Sequence, residues 1–317
     1  MEATRSRRNR RRKRKNNNGA LALAVLVLGF GVLLFALYAY LISSPTNARA
    51  TRDGDLPPEA SAEQPFHSPR VFPLTPTSID NVDDTGYLML INSRHSIPFE
   101  ICNDSLEPAW PTVPVSFIEG MYLRPTVLQA VADMMDEARS LDIGSFFVSS
   151  GFRGWDTQAS LYNNGANSAF VLPPGHSEHH TGLAIDILAV GVGMAEMGSS
   201  AEGRWLAENS YRYGLILRYP QGATHITGIE FEPWHFRYVG KPHAFFMRQN
   251  NLVLEEYIAH IQSVGEFSFE MGGNTYYVLY QQPQDDMIHL PTGLSFTVSG
   301  DNMGGFVVTA WKRGIVQ

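Results

Sequence analysis

The stretch PGHSEHHTGLAIDI, residues 174–187, holds three of the chain's ten histidines and one aspartate. Its second half decides the fold. LAIDIL (183–188) is an apolar run of strand length, and Asp186 interrupts it. A carboxylate among five apolar neighbours is expensive to bury without a cation or several hydrogen bonds. His179 stands seven residues earlier, and a turn at Gly182 lets the chain fold back so that the two side chains converge. The histidines are not equivalent: His179 and His180 are adjacent, so their side chains diverge, and His176 belongs to a Pro-Gly loop. Each alone is more often a hydrogen-bonded or exposed histidine than a ligand.

A second cluster, EFEPWHFRY (230–238), puts Glu232 and His235 three apart at the start of a strand, with Trp234 between them as a bulky wall. Two histidines, an aspartate and a water make the open tetrahedral zinc site of a hydrolase. Such a site also needs a carboxylate that is not a ligand, to take the water's proton and hand it to the leaving amine. Glu232 suits that role, and the competing reading pairs it with Arg237 at the surface. The one cysteine, Cys102, can supply neither an internal disulfide nor a thiolate cluster, so any metal site is built from His, Asp or Glu. The thiol itself reads as a small core residue.

Around these clusters the pattern is that of an α+β domain. GYLMLIN (86–92), SFFVSSG (145–151), LILRY (215–219) and HFRYV (235–239) read as strands. RPTVLQAVADMMDEARSL (124–141) reads as a helix, with Pro125 in its first turn and Val127, Leu128, Val131, Met134, Met135 and Ala138 on one face. WDTQASLYNN (155–164), AEGRWLAENSYRY (201–213, closed by Gly214) and residues 242–262 read as further helices. From about residue 265 apolar residues alternate with Gly and Asn turns, which predicts a small β-rich appendage over 263–317.

The N-terminus is of another kind. Residues 1–15 carry nine basic side chains against Glu2, although the whole chain is at −7. A basic run alone suits a nucleic-acid arm, but residues 19–42 that follow it are 24 residues without a charge. At ~1.5 Å per residue that run spans a ~30 Å hydrocarbon core. The expectation is therefore a basic cytoplasmic tail (1–18), a single transmembrane helix (19–42) and an extracellular remainder, with no nucleic-acid partner. A cleaved signal peptide ending near NARA (47–50) is the rival, and its apolar region is usually ~7 to 15 residues. Residues 43–80 contain seven of the nineteen prolines and read as an extended tether.

SEHHTGLAID (177–186) fits Ser-x-His-x-x-Gly-x-Ala-x-Asp and EPWH (232–235) fits Glu-x-Trp-His. Together they resemble the signature of the VanY-like D-alanyl-D-alanine carboxypeptidases and their L,D-carboxypeptidase relatives. The resemblance spans about 85–245, including LMLINSRHSIP (88–98) and SGFRGWDTQASLY (150–162). It implies an antiparallel-sheet zinc peptidase core of the hedgehog/D-Ala-D-Ala peptidase type over 81–262. Zn2+ is then held by His179, Asp186 and His235, with Glu232 as general acid/base. Arg153 is implied to hold the scissile carbonyl or the substrate's terminal carboxylate, and Gln158, Ser177 and Tyr219 to line the substrate groove. His180 is left off the metal, and Arg218 and Arg237 are left as framework.

The implied function is a membrane-anchored enzyme that removes the terminal D-alanine from peptidoglycan stem peptides. The alternatives are an L,D-carboxypeptidase acting on tetrapeptides and a non-catalytic wall-binding module with a structural metal. A structural site is closed by a fourth protein ligand and has no use for Glu232.

Overall fold

The computed structural model describes residues 72–97, 106–109, 116–117, 120–165 and 167–312. The basic tail, the apolar run 19–42, most of the tether and Cys102 lie outside them. The strands are β1 (Leu74–Ser78), β2 (Glu107–Pro108), β3 (Ser116–Phe117), β4 (Tyr122–Leu123), β5 (Phe146–Ser150), β6 (Ala184–Ala189), β7 (Leu215–Leu217) and β8 (His235–Tyr238), then β9 (Glu266–Met271), β10 (Asn274–Gln281), β11 (Met287–Pro291), β12 (Ser295–Gly300) and β13 (Phe306–Trp311). The helices are α1 (Pro125–Ser140), α2 (Trp155–Asn163), α3 (Ala201–Asn209), α4 (Thr224–Thr227), α5 (Lys241–Asn250) and α6 (Leu254–Val264).

The central sheet has the order β3-β5-β6-β8-β7 and is antiparallel except where β3 joins β5. Successive side chains of a strand point to opposite faces, and β6 uses this fully. Ile185 and Ile187 are completely buried in the core that also takes Val127, Val131 and Met134 of α1, with Phe236 of β8. Asp186 points the other way, and its register partners are Ser150 on β5 and His235 on β8. The aspartate that interrupts the apolar run therefore leaves the α1 core intact and sits on the chemical face of the sheet. Pro125 occupies the first turn of α1, whose buried residues include the expected Val127, Leu128, Val131, Met134, Met135 and Ala138.

A second core joins Leu88 and Leu90 to α5, α6 and the inner face of the C-terminal strands, through Phe246, Tyr257, Phe267, Val278 and Val307. Those strands form an antiparallel sheet of order β12-β13-β10-β9. On its other face Leu279, Val298 and Val308 pack with Ile288 of β11 and Leu74 of β1.

Three sequence expectations are corrected. GYLMLIN is not a strand: Leu88, Leu90 and Ile91 are buried, but the Leu88 N–H donates to the Ser299 hydroxyl and the Leu90 N–H to the Asp301 carbonyl rather than to a ladder. Residues 242–262 form two helices, because Asn251 takes a left-handed conformation (φ 51°) between α5 and α6. Leu74–Ser78, inside the proline-rich stretch, is β1, paired along its length with β11; Pro76 is tolerated because this two-stranded ribbon asks little of its edge. Among the described residues no helix is long and apolar enough to cross a membrane.

Candidate metal centre

Two local devices bring His179 to the sheet. Residues Glu178–Thr181 form one 3-10 turn that ends on Gly182 in a left-handed conformation (φ 66°), and β6 starts two residues later. A Cβ at Gly182 would stand 2.4 Å from Leu106, so both the backbone angle and the space demand glycine. The His179 Nδ1–H donates to the Gly151 carbonyl at 2.7 Å, which turns Nε2 toward Asp186 Oδ2 at 3.5 Å. From β8, His235 Nδ1 lies 2.9 Å from Asp186 Oδ1. One donor atom from each of the three residues falls within 4.8 Å of the others. Donors ~2 Å from a tetrahedral zinc are ~3.3 Å apart, so the set fits that ion with small movements.

Glu232 stands beside the cluster and outside it, with Oε2 3.8 Å from His235 Nδ1. Its N–H donates to the Tyr219 carbonyl and its carbonyl accepts from the His235 N–H, so the loop before β8 is tied at both ends. Burial lifts its carboxyl, against the pull of His235 and Arg153, to about 8. Burial also opposes ionisation of Asp186, yet His179 and His235 hold it well below the usual carboxylate range. Burial disfavours a charged His235, but hydrogen bonds to Asp186 and Glu178 push it up to about 9. Two carboxylates 46 residues apart in the sequence thus have opposite proton preferences in one site, the pattern that separates an acid/base from a ligand. Asp186 keeps 14 % of its side chain exposed, so the centre opens to solvent on that side.

The structure brings Arg153 to the same face. One Nη donates to Gln158 Oε1 at 2.8 Å and the other to the Ser150 hydroxyl at 2.9 Å, and Asp186 and Glu232 both act on its charge. Gln158 is 1 % exposed, and its amide nitrogen donates to the Leu172 carbonyl. It therefore braces Arg153. His180 is a brace too: its Nδ1–H donates to the Arg153 carbonyl, its Nε2 accepts the Gly175 N–H, and Trp155 stacks on its ring at 5.3 Å. Tyr219 lies against the His235 ring (5.0 Å, 28°) and under the Arg218 guanidinium. Ser177 is buried at the start of the 3-10 turn, where its carbonyl accepts the His180 N–H.

Sequence reasoning missed Glu178. Its carboxylate is fully buried and meets Arg218 Nε at 2.8 Å, Arg237 Nη1 at 3.0 Å and His235 Nε2 at 3.3 Å. The available signal was the same as for Asp186: Arg218 and Arg237 interrupt the apolar strand runs LILRY and HFRYV, and two buried cations require buried acids.

A family model described as VanY, D-alanyl-D-alanine carboxypeptidase, matches residues 120–241. A D-alanyl-D-alanine carboxypeptidase of Enterococcus faecium is 35 % identical over 232 residues, covering 71 % of this chain and 75 % of that protein. Among solved structures, the vancomycin resistance D,D-dipeptidase VanXYg superposes with a TM-score of 0.65 at 26 % identity, over 77 % of this chain and all of that one. The LdcB LD-carboxypeptidase gives a TM-score of 0.50 at 32 % identity, over 59 % of this chain and 94 % of that one.

Proposed function

The chain belongs to the VanY family of zinc D-alanyl-D-alanine carboxypeptidases, and on that premise we propose that it is a membrane-anchored enzyme releasing the terminal D-alanine of peptidoglycan stem pentapeptides. The observation that carries this reading is the convergence of His179, Asp186 and His235 with a carboxylate, Glu232, kept out of the cluster. A structural metal would be closed by a fourth protein ligand. An ion held by those three residues supplies a Lewis acid that polarises the scissile carbonyl and acidifies a water.

The chain's own residues do the rest. Glu232 takes the proton of the attacking water and returns it to the departing D-alanine amine. Arg153 offers a planar fork whose direction is fixed by Gln158 and Ser150, suited to the substrate's terminal carboxylate or to the carbonyl oxygen as it gains charge. Tyr219, buried and stacked on the His235 ring, keeps water from that face of it. Anchoring through residues 19–42, with the catalytic domain outside the membrane, rests on the sequence pattern and suits a substrate that lies outside the cell.

The test is incubation of the purified full chain with pentapeptide and tetrapeptide muropeptides, followed by an assay for free D-alanine. Release from the pentapeptide, lost on chelation and restored by zinc, is expected. Release from the tetrapeptide alone transfers the assignment to L,D-cleavage, and release from neither defeats the enzyme reading. Protease accessibility of the catalytic domain on intact cells tests the anchoring; protection from protease would reverse the orientation.

A further inference from the structure

Two carboxylates lie within hydrogen-bond distance of the His235 ring and compete for its proton, Glu232 standing farther off at 3.8 Å from Nδ1. On the cluster side Asp186 Oδ1 lies 2.9 Å from Nδ1, and on the other side Glu178 Oε2 lies 3.3 Å from Nε2. A neutral imidazole carries one proton, so the nitrogen that holds it cannot also be the donor to a metal. If Asp186 took the proton at Nδ1, the cluster would lose its second histidine.

Glu178 is built to prevent this. Both arginines that touch it, Arg218 through Nε (2.8 Å) and Arg237 through Nη1 (3.0 Å), converge on Oε1. Oε2 is the oxygen that meets His235. Arg218 is itself fixed by a two-pronged pair with Glu255 on α6 (2.8 and 2.7 Å), and Arg237 Nη2 donates to the carbonyls of Gly86, Tyr87 and Met89. Glu178, Glu255, Arg218 and Arg237 balance in charge without His235. The carboxylate therefore stays ionised and immobile, and acts on the histidine as a fixed acceptor.

We propose that Glu178 is a positioning residue of the metal centre: it holds the His235 proton on Nε2, so that Nδ1 presents its lone pair to the ion. The proposal rests on the reading of His235 as a ligand. A carboxylate in this place raises the basicity of the histidine as well as orienting it, and its loss typically costs 10–100-fold in metal affinity.

Two measurements on the full chain test it. The first compares the zinc affinity of wild type, Glu178→Gln and Glu255→Gln by competition with a chromophoric chelator. Each substitution removes a buried charge partner of Arg218, so both are expected to lower the Tm. Only Glu178→Gln should weaken zinc, by 10–100-fold. Equal zinc affinity in all three proteins, or equal weakening in both variants, overturns the proposal. The second uses wild type loaded with cadmium-113 and labelled with nitrogen-15 in histidine, and decides the matter even if Glu178→Gln fails to fold. Coupling of the metal to His235 Nδ1, with a proton on Nε2, is expected; coupling to Nε2 overturns the proposal. Neither readout involves hydrolysis. Cadmium on Nδ1 with no D-alanine release would sink the functional reading alone, and release with cadmium on Nε2 would sink this one alone.

Discussion

Replacing Glu232 by Gln should make the metal-free protein more stable and the enzyme nearly inert. The substitution keeps the shape of the side chain and removes its charge. Burial raises this carboxyl from 4.5 to about 8, so the native ion-free protein carries a proton there at pH 7 while the unfolded chain does not. The sign follows from linkage. A group whose folded pKa is raised contributes stability that is fully present below the unfolded value and is lost as pH rises through the folded one. Between pH 4.5 and 7 that loss is about 2.5 units at ~1.4 kcal/mol each, or roughly 3 kcal/mol. A glutamine binds no proton in either state and escapes it. Urea unfolding of the chelator-treated full chain should therefore show Glu232→Gln about 3 kcal/mol more stable than wild type at pH 7, the two converging near pH 4. Zinc should narrow the gap, since a nearby cation favours the ionised carboxylate. Turnover of the zinc-loaded variant should fall by about 10²- to 10⁴-fold with its zinc content unchanged, the usual contribution of a positioned acid/base. Stability curves that run parallel from pH 4 to 7 would refute the buried-carboxyl argument, and full activity would refute the role.

The same physics acts in the second core with the opposite sign. Burial pulls His243 down to about 3, and Tyr257 and Thr309 engage its two ring nitrogens. Its contribution is intact above pH 6.5 and is lost as pH falls toward 3, so at pH 5 it has cost roughly 2 kcal/mol. His243→Gln should lose about that much less stability than wild type between pH 7 and pH 5 in urea unfolding; an identical loss in both would contradict it. Gln158→Leu leaves the Arg153 fork with Ser150 alone and the Leu172 carbonyl without its donor. Turnover should drop about 10-fold or more, because orientation of the guanidinium is what the brace provides, with zinc content unchanged by metal analysis; unaltered kinetics would return Gln158 to a passive role.

The sequence carried the metal centre because its logic is local and costly. An aspartate in LAIDIL and a Glu-x-x-His before a strand are anomalies that only chemistry or strong pairing explains, and the register Asp186↔His235 realises that chemistry through strand alternation. What the sequence hid depends on partners far along the chain. Leu88 and Leu90 look like strand residues, yet their backbone groups are met by Ser299 and Asp301, more than 200 residues later, and no short-range pattern encodes that. The resemblance implies a groove role for Gln158, and only the positions of Arg153 and the Leu172 carbonyl reveal that both ends of its amide are used. Glu178 was hidden by its neighbours: next to His179, it reads as one more polar residue in a polar turn, and the two cations that demand it lie 40 and 59 residues away in sequence. Its burial ties the rule used for Asp186 to a wider one. A charged residue in an apolar strand run signals a partner, and where three such residues occur in or directly after neighbouring strands, Asp186 in β6, Arg237 in β8 and Arg218 just past β7, the acid that balances the arginines belongs beside the site that the aspartate builds.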